Sequence, residues 1–466
     1  EADGTKCNVP EERIHGTQHS HIVRIPFRHA NGEVVPHWIS RFKIWPYLER
    51  FAKEAEKEIL SRQGRPGFII GNYSDGNLVA SMLAHKLGVT QCNIAHALEK
   101  TKYLYSDLYW KDHEQEHRFA CQFTADLIAM NTADFIITST YQEIAGTAES
   151  VGQYESYGAF SLPRLYRVVS GIDCFDPKFN IVSPGADPRV FFPYFEQSHR
   201  PEEIRKEIEA MVYGSPDCAY RGLLEDQSKP LLFAMSRLDR IKNMAGLVEW
   251  YAQNDELRRV ANLLIVGGRL RADESNDRDE REQIERTHSL FDEHGLEGQV
   301  RWVEMQTDKT KVGEIYRFVA DQRGAFVQPA LFEAFGLTVV ESMSSGLPTF
   351  ATRYGGPLEI IVDGKSGFHI DPTRGDETTQ KMLDFFRSCE ADPEAWERIS
   401  KGGIERVEER FNWRLYASTL LKLSRIYGFW RYISSLERDE TRRYLEMFYG
   451  LLLRPLSKKV LDAHEH

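Results

Sequence analysis

Two carboxylates and two cations stand out by residue type and spacing. In VQPALFEAFGLTVVESMSSG, Val327 to Gly346, Glu333 and Glu341 flank Gly336. In SRLDRIKN, Ser236 to Asn243, Arg237 and Lys242 bracket a short polar loop. Arginine offers forked donors and lysine a compact charge, so the pair suits a diphosphate. Each stretch follows an apolar run that reads as a strand and leads into a helical pattern. The loop of a strand–loop–helix unit lies at the carboxyl edge of a parallel sheet, where ligands bind. The free amides of a helix start favour an anion such as phosphate. Glu333 is therefore expected beside a phosphate site, with Glu341 on the first turns of the helix below it. Read one at a time, each charge is as well explained by a solvated surface position. Their occurrence together, with a glycine and a preceding strand, favours a site.

Other signals are weaker. Gly267 and Gly268 end one strand, and Gly355-Gly356-Pro357 follows another. Such glycines admit a close ligand, although turns need glycine anyway. His96, in IAHALEK, lies just past a strand. It could bond a sugar hydroxyl or serve as a satisfied structural histidine. Arg41 and Lys100 read as structural. No G-x-G-x-x-G opens either half and no Walker A motif is present, which argues against a dinucleotide oxidoreductase or a P-loop enzyme.

The elements that must position these residues alternate. In the first half, strands are expected at Ile22 to Pro26, Gly67 to Ile70, Gln91 to Ala95, Phe135 to Thr138 and from Asn180, after a polar loop of some twenty residues. Helices are expected at Trp38 to Arg62, bent near Pro46, at Leu78 to Leu87 and at Glu114 to Met130. Gly152 to Asp176, rich in Gly, Tyr and Pro, reads as irregular. In the second half, strands are expected at Leu231 to Met235, Leu263 to Val266, Val300 to Val303, Ala325 to Gln328, Thr349 to Ala351 and Gly367 to Ile370. Alternation at this spacing means a parallel, doubly wound α/β sheet in each half. The expected organisation is a Rossmann-like domain over 1–195, a connector over 196–229, a second Rossmann-like domain over 230–412 and a helical tail over 413–466. The cleft between such domains is the natural place for chemistry.

With 466 residues, 59 basic and 70 acidic side chains and a net charge of −11, nucleic acid and anionic membrane are poor partners. The six cysteines are scattered without a CxxC pair, so neither a disulfide framework nor a zinc site is expected, and a reduced, cytoplasmic location fits. No apolar run reaches the ~18 residues of a membrane span, and EADGTKCNVPEE does not read as a signal peptide.

The two glutamates of EAFGLTVVE resemble the E-x7-E signature of retaining nucleotide-sugar glycosyltransferases with the two-domain GT-B fold. CNIAHALEKTKY, CQFTADLIAMNTADFIITSTYQEIAGT, VGQYESYGAF, YRVVSGIDCFDPKFNIVSPGAD, SRLDRIKN and GFWRYISSLERDETRRYLEMFY resemble the sucrose synthase family across nearly the whole chain. Sucrose-phosphate synthases share the E-x7-E segment but are not expected to match FTADLIAMN or VGQYES. The resemblance implies reversible glucosyl transfer: sucrose plus UDP or ADP gives fructose plus the nucleotide-glucose. It implies that Arg237 and Lys242 clamp the diphosphate, and that Glu333 binds glucosyl hydroxyls beside the amides of Phe335, Gly336 and Leu337. Thr338 would help to hold phosphate, Glu341 the ribose, Gln306 the base, with Gly268 close by, and His96 the glucose. Configuration is retained without a firmly identified enzyme nucleophile, and stabilisation of the leaving diphosphate is the main catalytic effect. Neither a metal nor a separate cofactor is implied, and the family is usually a homotetramer.

Three departures qualify the resemblance. Glu1 falls inside the first Rossmann-like domain, so its opening βα unit, the GGQ loop and the regulatory region are expected to be missing from this sequence; a fragment of that kind would be unstable or deficient in fructose-side chemistry. Leu104-Tyr105 stands where plant members have Pro-Asp, which points to a bacterial-type member. TDKTKVGEIY after Gln306 differs from the plant pattern near the base, leaving UDP or ADP open.

Overall fold

The computed structural model describes residues 9–462 except 38, 97, 99, 101–109, 148–150, 159–171, 173, 175, 217–218, 276, 435–442 and 444. Glu99, Leu104, Tyr105 and most of the Gly152 to Asp176 stretch thus lie outside the described residues. The chain divides into two compact units, residues 1–182 with 419–466, and residues 183–418.

In the first unit β1 (Glu11–Arg13) pairs antiparallel with β2 (His21–Val23). The first twenty residues therefore contribute a strand, where only a loop was expected. The four-stranded sheet holds β3 (Phe68–Asn72), β4 (Thr90–Ile94), β5 (Phe135–Thr138) and β6 (Phe179–Ile181), parallel and in that order. β4 and β5 are buried along their whole length, as strands covered on both faces must be. Two expected helices change shape. Pro46 opens a short 3-10 turn, Trp45–Tyr47, and the helix proper is Leu48–Gln63, because proline is best tolerated in a first turn. The helix expected from Glu114 is broken at Arg118 (φ 54°) into Glu114–His117 and Phe119–Thr132. The helix Tyr73–Leu87 starts within NYSDGN, directly at the end of β3.

The second unit carries a seven-stranded sheet. β7 (Tyr220–Arg221) is its one antiparallel member; β8 (Leu231–Met235), β9 (Asn262–Val266), β10 (Val300–Val303), β11 (Ala325–Gln328), β12 (Thr349–Thr352) and β13 (Phe368–Ile370) run parallel. The order is β13-β12-β11-β8-β9-β10-β7. The winding reverses between β8 and β11, so the crevice at their carboxyl ends is a topological switch point. Leu231, Phe233, Leu264, Trp302, Tyr316 and Phe326 are fully buried in the core of this unit, an apolar side chain so buried contributing about 1.5–3 kcal/mol of transfer free energy.

Residues 196–229, expected as a connector, fold within this second unit. Their helix Glu202–Tyr213 ends against Arg301, which donates to Met211 O at 2.8 and 2.6 Å and to Gly222 O at 2.7 Å. Arg200 forks onto Glu314 and Asp321.

Candidate active site

Three loops meet at the carboxyl ends of β8, β11 and β12, and backbone hydrogen bonds tie them together. Leu331 N–H donates to Ile241 O at 2.8 Å, Glu333 N–H to Tyr354 O at 3.1 Å, and Gly356 N–H to Glu333 O at 2.8 Å. Asn243 Nδ2 donates to Pro329 O at 3.1 Å. The loop carrying Glu333 is thus pinned from both sides. Gly355 has φ 103°, and a Cβ there would lie 1.9 Å from Glu333 O, so only glycine lets the two loops touch. Gly355→Ala should cost about 1–3 kcal/mol of stability in denaturant unfolding, as expected when a strained backbone position is filled. An unchanged midpoint would show that the loops separate freely.

Within this frame Lys242 Nζ donates to Glu333 Oε2 at 2.7 Å. The two side chains are 22% and 15% exposed, so the pair is largely shielded from water. Gln328, at the end of β11, donates through Nε2 to the same oxygen at 2.8 Å and is 4% exposed. Among the described residues its Oε1 is buried without a partner. Sequence reasoning missed this residue, because it reads only as the last position of the strand Ala325 to Gln328. The only signal was its amide in an otherwise apolar run, Ala325 to Val327. Removing it should loosen Glu333: Gln328→Leu is expected to reduce turnover by about tenfold with little change in nucleotide affinity, the pattern of a lost orienting contact.

The two cations are arranged differently. Lys242 faces the carboxylate, whereas Arg237 is 74% exposed and pairs with Asp239 through one guanidinium nitrogen at 3.1 Å. Asp239 also accepts the Lys242 amide at 2.8 Å. Arg237 and Gly268 together line a cavity of about 360 Å³ with Arg269, Glu274, Glu280 and Met305. Gly268 (φ 59°) leaves no room for a side chain, since a Cβ would stand 2.4 Å from Leu238 Cδ1. Its carbonyl accepts Met305 N–H at 3.0 Å, and the neighbouring Gln306 donates through Nε2 to Glu304 O at 2.9 Å.

The helix Leu337–Ser344 starts at Gly336 (φ 105°) with no side-chain cap. Among the described residues the amides of Phe335, Gly336, Leu337 and Thr338 have no hydrogen-bond acceptor. Four free donors at a helix start beside Lys242 make a ready anion site. The Phe335 ring is buried against Phe411, Leu337 is 47% exposed and Thr338 is half-buried. Glu341 lies deeper on the same helix. Burial pushes its carboxyl pKa up to about 7, against the opposing pull of Lys309 and the Tyr316 hydroxyl.

His96 belongs to the first unit. Its backbone is left-handed (φ 60°), its Nε2 lies 2.8 Å from Asn72 Oδ1, and its ring stands 4.7 Å from that of Tyr73. Burial lowers its pKa, favouring the neutral imidazole. Arg41 lies over Phe42. Lys100 bonds Ser156 O and lies over Tyr157, with burial lowering its pKa to about 8. The structure thus brings Lys242, Glu333, the Phe335 to Thr338 amides and Glu341 to one edge of one sheet.

Two family models match the chain. Residues 1–213 match the family model described as the sucrose synthase first GT-B domain, and residues 221–406 match glycosyl transferases group 1. The chain is 61% identical to a sucrose synthase of Denitrovibrio acetiphilus over 98% of its length and 58% of that protein's. It is 59% identical to one of Nitrosomonas europaea, covering 100% of this chain and 59% of the relative. It is 58% identical to sucrose synthase 3 of Arabidopsis thaliana, covering 99% and 57%. The chain therefore spans somewhat over half the length of the curated relatives it matches. Among solved structures, a sucrose-phosphate synthase from Thermosynechococcus elongatus superimposes with a TM-score of 0.61 at 21% identity, over 88% of this chain and 84% of that one. The catalytic domain of starch synthase IV from Arabidopsis thaliana, bound to ADP and acarbose, gives 0.58 at 16% identity, over 84% and 78%. Those two likenesses establish the fold, and the sequence matches establish the kinship: the chain belongs to the sucrose synthase family of GT-B glycosyltransferases.

Proposed function

We propose that the protein carrying this chain transfers glucose reversibly between sucrose and a nucleoside diphosphate, UDP or ADP, with retention of configuration. The observation that carries this reading is the Lys242–Glu333 pair beside four unsatisfied amides at a helix start. In the direction of sucrose synthesis, a bond forms between the fructose 2-hydroxyl oxygen and glucosyl C1 as the bond from C1 to the distal phosphate oxygen breaks; negative charge grows on the diphosphate, which takes up the hydroxyl proton. Lys242, Arg237, Thr338 and the amides of Phe335 to Leu337 receive that charge, an electrostatic effect that costs no reorganisation at the moment of reaction. Glu333 holds the glucosyl hydroxyls, Glu341 the ribose, and Gln306 with Gly268 the base. A homotetramer in the cytoplasm is the assembly and location that fit the family.

The test is incubation with sucrose and either UDP or ADP. Formation of nucleotide-glucose and fructose is expected. Binding without turnover would indicate a nucleotide-binding relative, and preference for fructose 6-phosphate in the reverse direction would indicate a sucrose-phosphate synthase; either outcome contradicts the proposal.

Glu341 adds a pH prediction. Its carboxyl is mostly protonated below about pH 7 and ionised above it. The carboxylate accepts from both ribose hydroxyls, and the acid less well. Nucleotide affinity should therefore rise as pH rises through about 7, by at most about tenfold per unit. Calorimetric titration from pH 6 to 8 checks this, and Glu341→Gln should flatten the profile. For stability the sign is opposite. A carboxyl raised from 4.5 disfavours its ionised form in the fold, so this contribution diminishes as pH climbs from about 4.5 to 7.

A further inference from the structure

Away from that site, the first unit groups three metal-ligating side chains on five consecutive residues, His113-Glu114-Gln115-Glu116-His117. We propose that His113, Glu116 and His117 form a binding site for a divalent transition-metal ion of the zinc class. The ligand atoms of the three lie within 4.8 Å of one another, and His117 Nδ1 stands 4.0 Å from Glu116 Oε2. Ligands of a tetrahedral zinc ion, bound at about 2.0–2.2 Å, lie about 3.3–3.5 Å apart. Binding an ion would draw the ligand atoms that much closer together.

The helical turn puts these groups together by spacing. His113 ends a 3-10 turn, Trp110–His113, that runs into the helix Glu114–His117. Residues three and four positions on therefore share its face. His117 is held in place: its ring stacks on Phe119 at 5.2 Å and meets Phe42 edge-on at 4.7 Å. The two histidine rings are 5.8 Å apart and nearly perpendicular. Glu116 is exposed, which leaves a fourth position to water. Two imidazoles and one carboxylate suit zinc and its neighbours rather than magnesium or calcium, which prefer all-oxygen shells. The scattered cysteines argue only against a thiolate site, and this chemistry uses none.

The spacing H-E-x-x-H is also that of zinc hydrolases, where the glutamate after the first histidine is the general base. Here that residue is committed elsewhere: Glu114 accepts the Ala120 amide at 2.9 Å. The site is thus read as a binding site without hydrolysis. Its ligands all come from one turn, so an ion would rigidify that turn and, through the stacked His117 and Phe119 rings, the start of the helix Phe119–Thr132.

The test is calorimetric titration of the full-length protein, prepared without a polyhistidine tag, with zinc chloride, followed by metal analysis after dialysis. One equivalent is expected to bind with a dissociation constant of about 10 μM or tighter, and magnesium should not bind. His113→Ala and Glu116→Gln should each weaken zinc binding by about tenfold or more, without moving the melting temperature of the metal-free protein. Glu116→Gln keeps the shape of an exposed side chain, so it tests the site even if the histidine variant is unstable. Absence of saturable binding below about 100 μM would overturn the proposal. So would an unchanged isotherm in both variants, which would place the zinc on others of the fifteen histidines.

Discussion

Replacing Lys242 by methionine is expected to lower turnover by about 10²–10³, the usual loss when one preorganised donor to a developing anion is removed. Methionine keeps the length of the side chain and removes only the charge. Lys242 stands at 2.7 Å from Glu333 and is mostly shielded from water, where a charge acts more strongly than at an exposed position. Arg237, 74% exposed and paired with Asp239, is more strongly screened by water, so its contribution does not replace that of Lys242. The substitution also leaves Glu333 with Gln328 as its remaining side-chain partner. Nucleotide affinity should fall as well, because the ground-state diphosphate is already anionic. Steady-state kinetics together with nucleotide titration checks this. A loss below about threefold in turnover would remove Lys242 from the mechanism.

Glu333→Ala should show a different signature. Glu333 is read as addressing the sugar, not the diphosphate, so its loss should depress the chemical step by about 10²–10³ while nucleotide affinity stays within about threefold. Equal losses in turnover and nucleotide affinity would contradict the assigned role. The contrast between the two variants is informative because their side chains touch: a defect caused merely by breaking the ion pair would look the same in both.

Much of the second unit was legible from sequence. Its parallel strands are covered on both faces, so they read as short, mostly apolar runs, two of them ended by Gly267 and Pro329. Leu231–Met235, Val300–Val303 and Ala325–Gln328 lie where those runs place them. The first unit was harder. Pro46 reads equally as a kink within a long helix or as the start of a shorter one, and Arg118 breaks a continuous helical pattern through a left-handed residue that composition does not announce. β1 is polar and exists by pairing with β2, a long-range choice that propensity does not contain. At the site, residue types and loop positions were readable, but partners were not. Lys242 and Glu333 are 91 residues apart in the chain, and they meet because β8 and β11 are neighbours at the reversal of the sheet. The burial that shifts Glu341, and the amide of Gln328 aimed at Glu333, follow from packing alone.

The central claim is that a diphosphate seats between Lys242, Arg237 and the uncapped start of the helix Leu337–Ser344. Amide hydrogen exchange with and without UDP or ADP addresses it most directly, because the donors in question are backbone N–H groups with no acceptor of their own. Either nucleotide is expected to slow exchange in the segments Ser236–Asn243 and Phe335–Thr338, with little change at β3. Protection that leaves Phe335–Thr338 untouched while a nucleotide is bound would contradict the account.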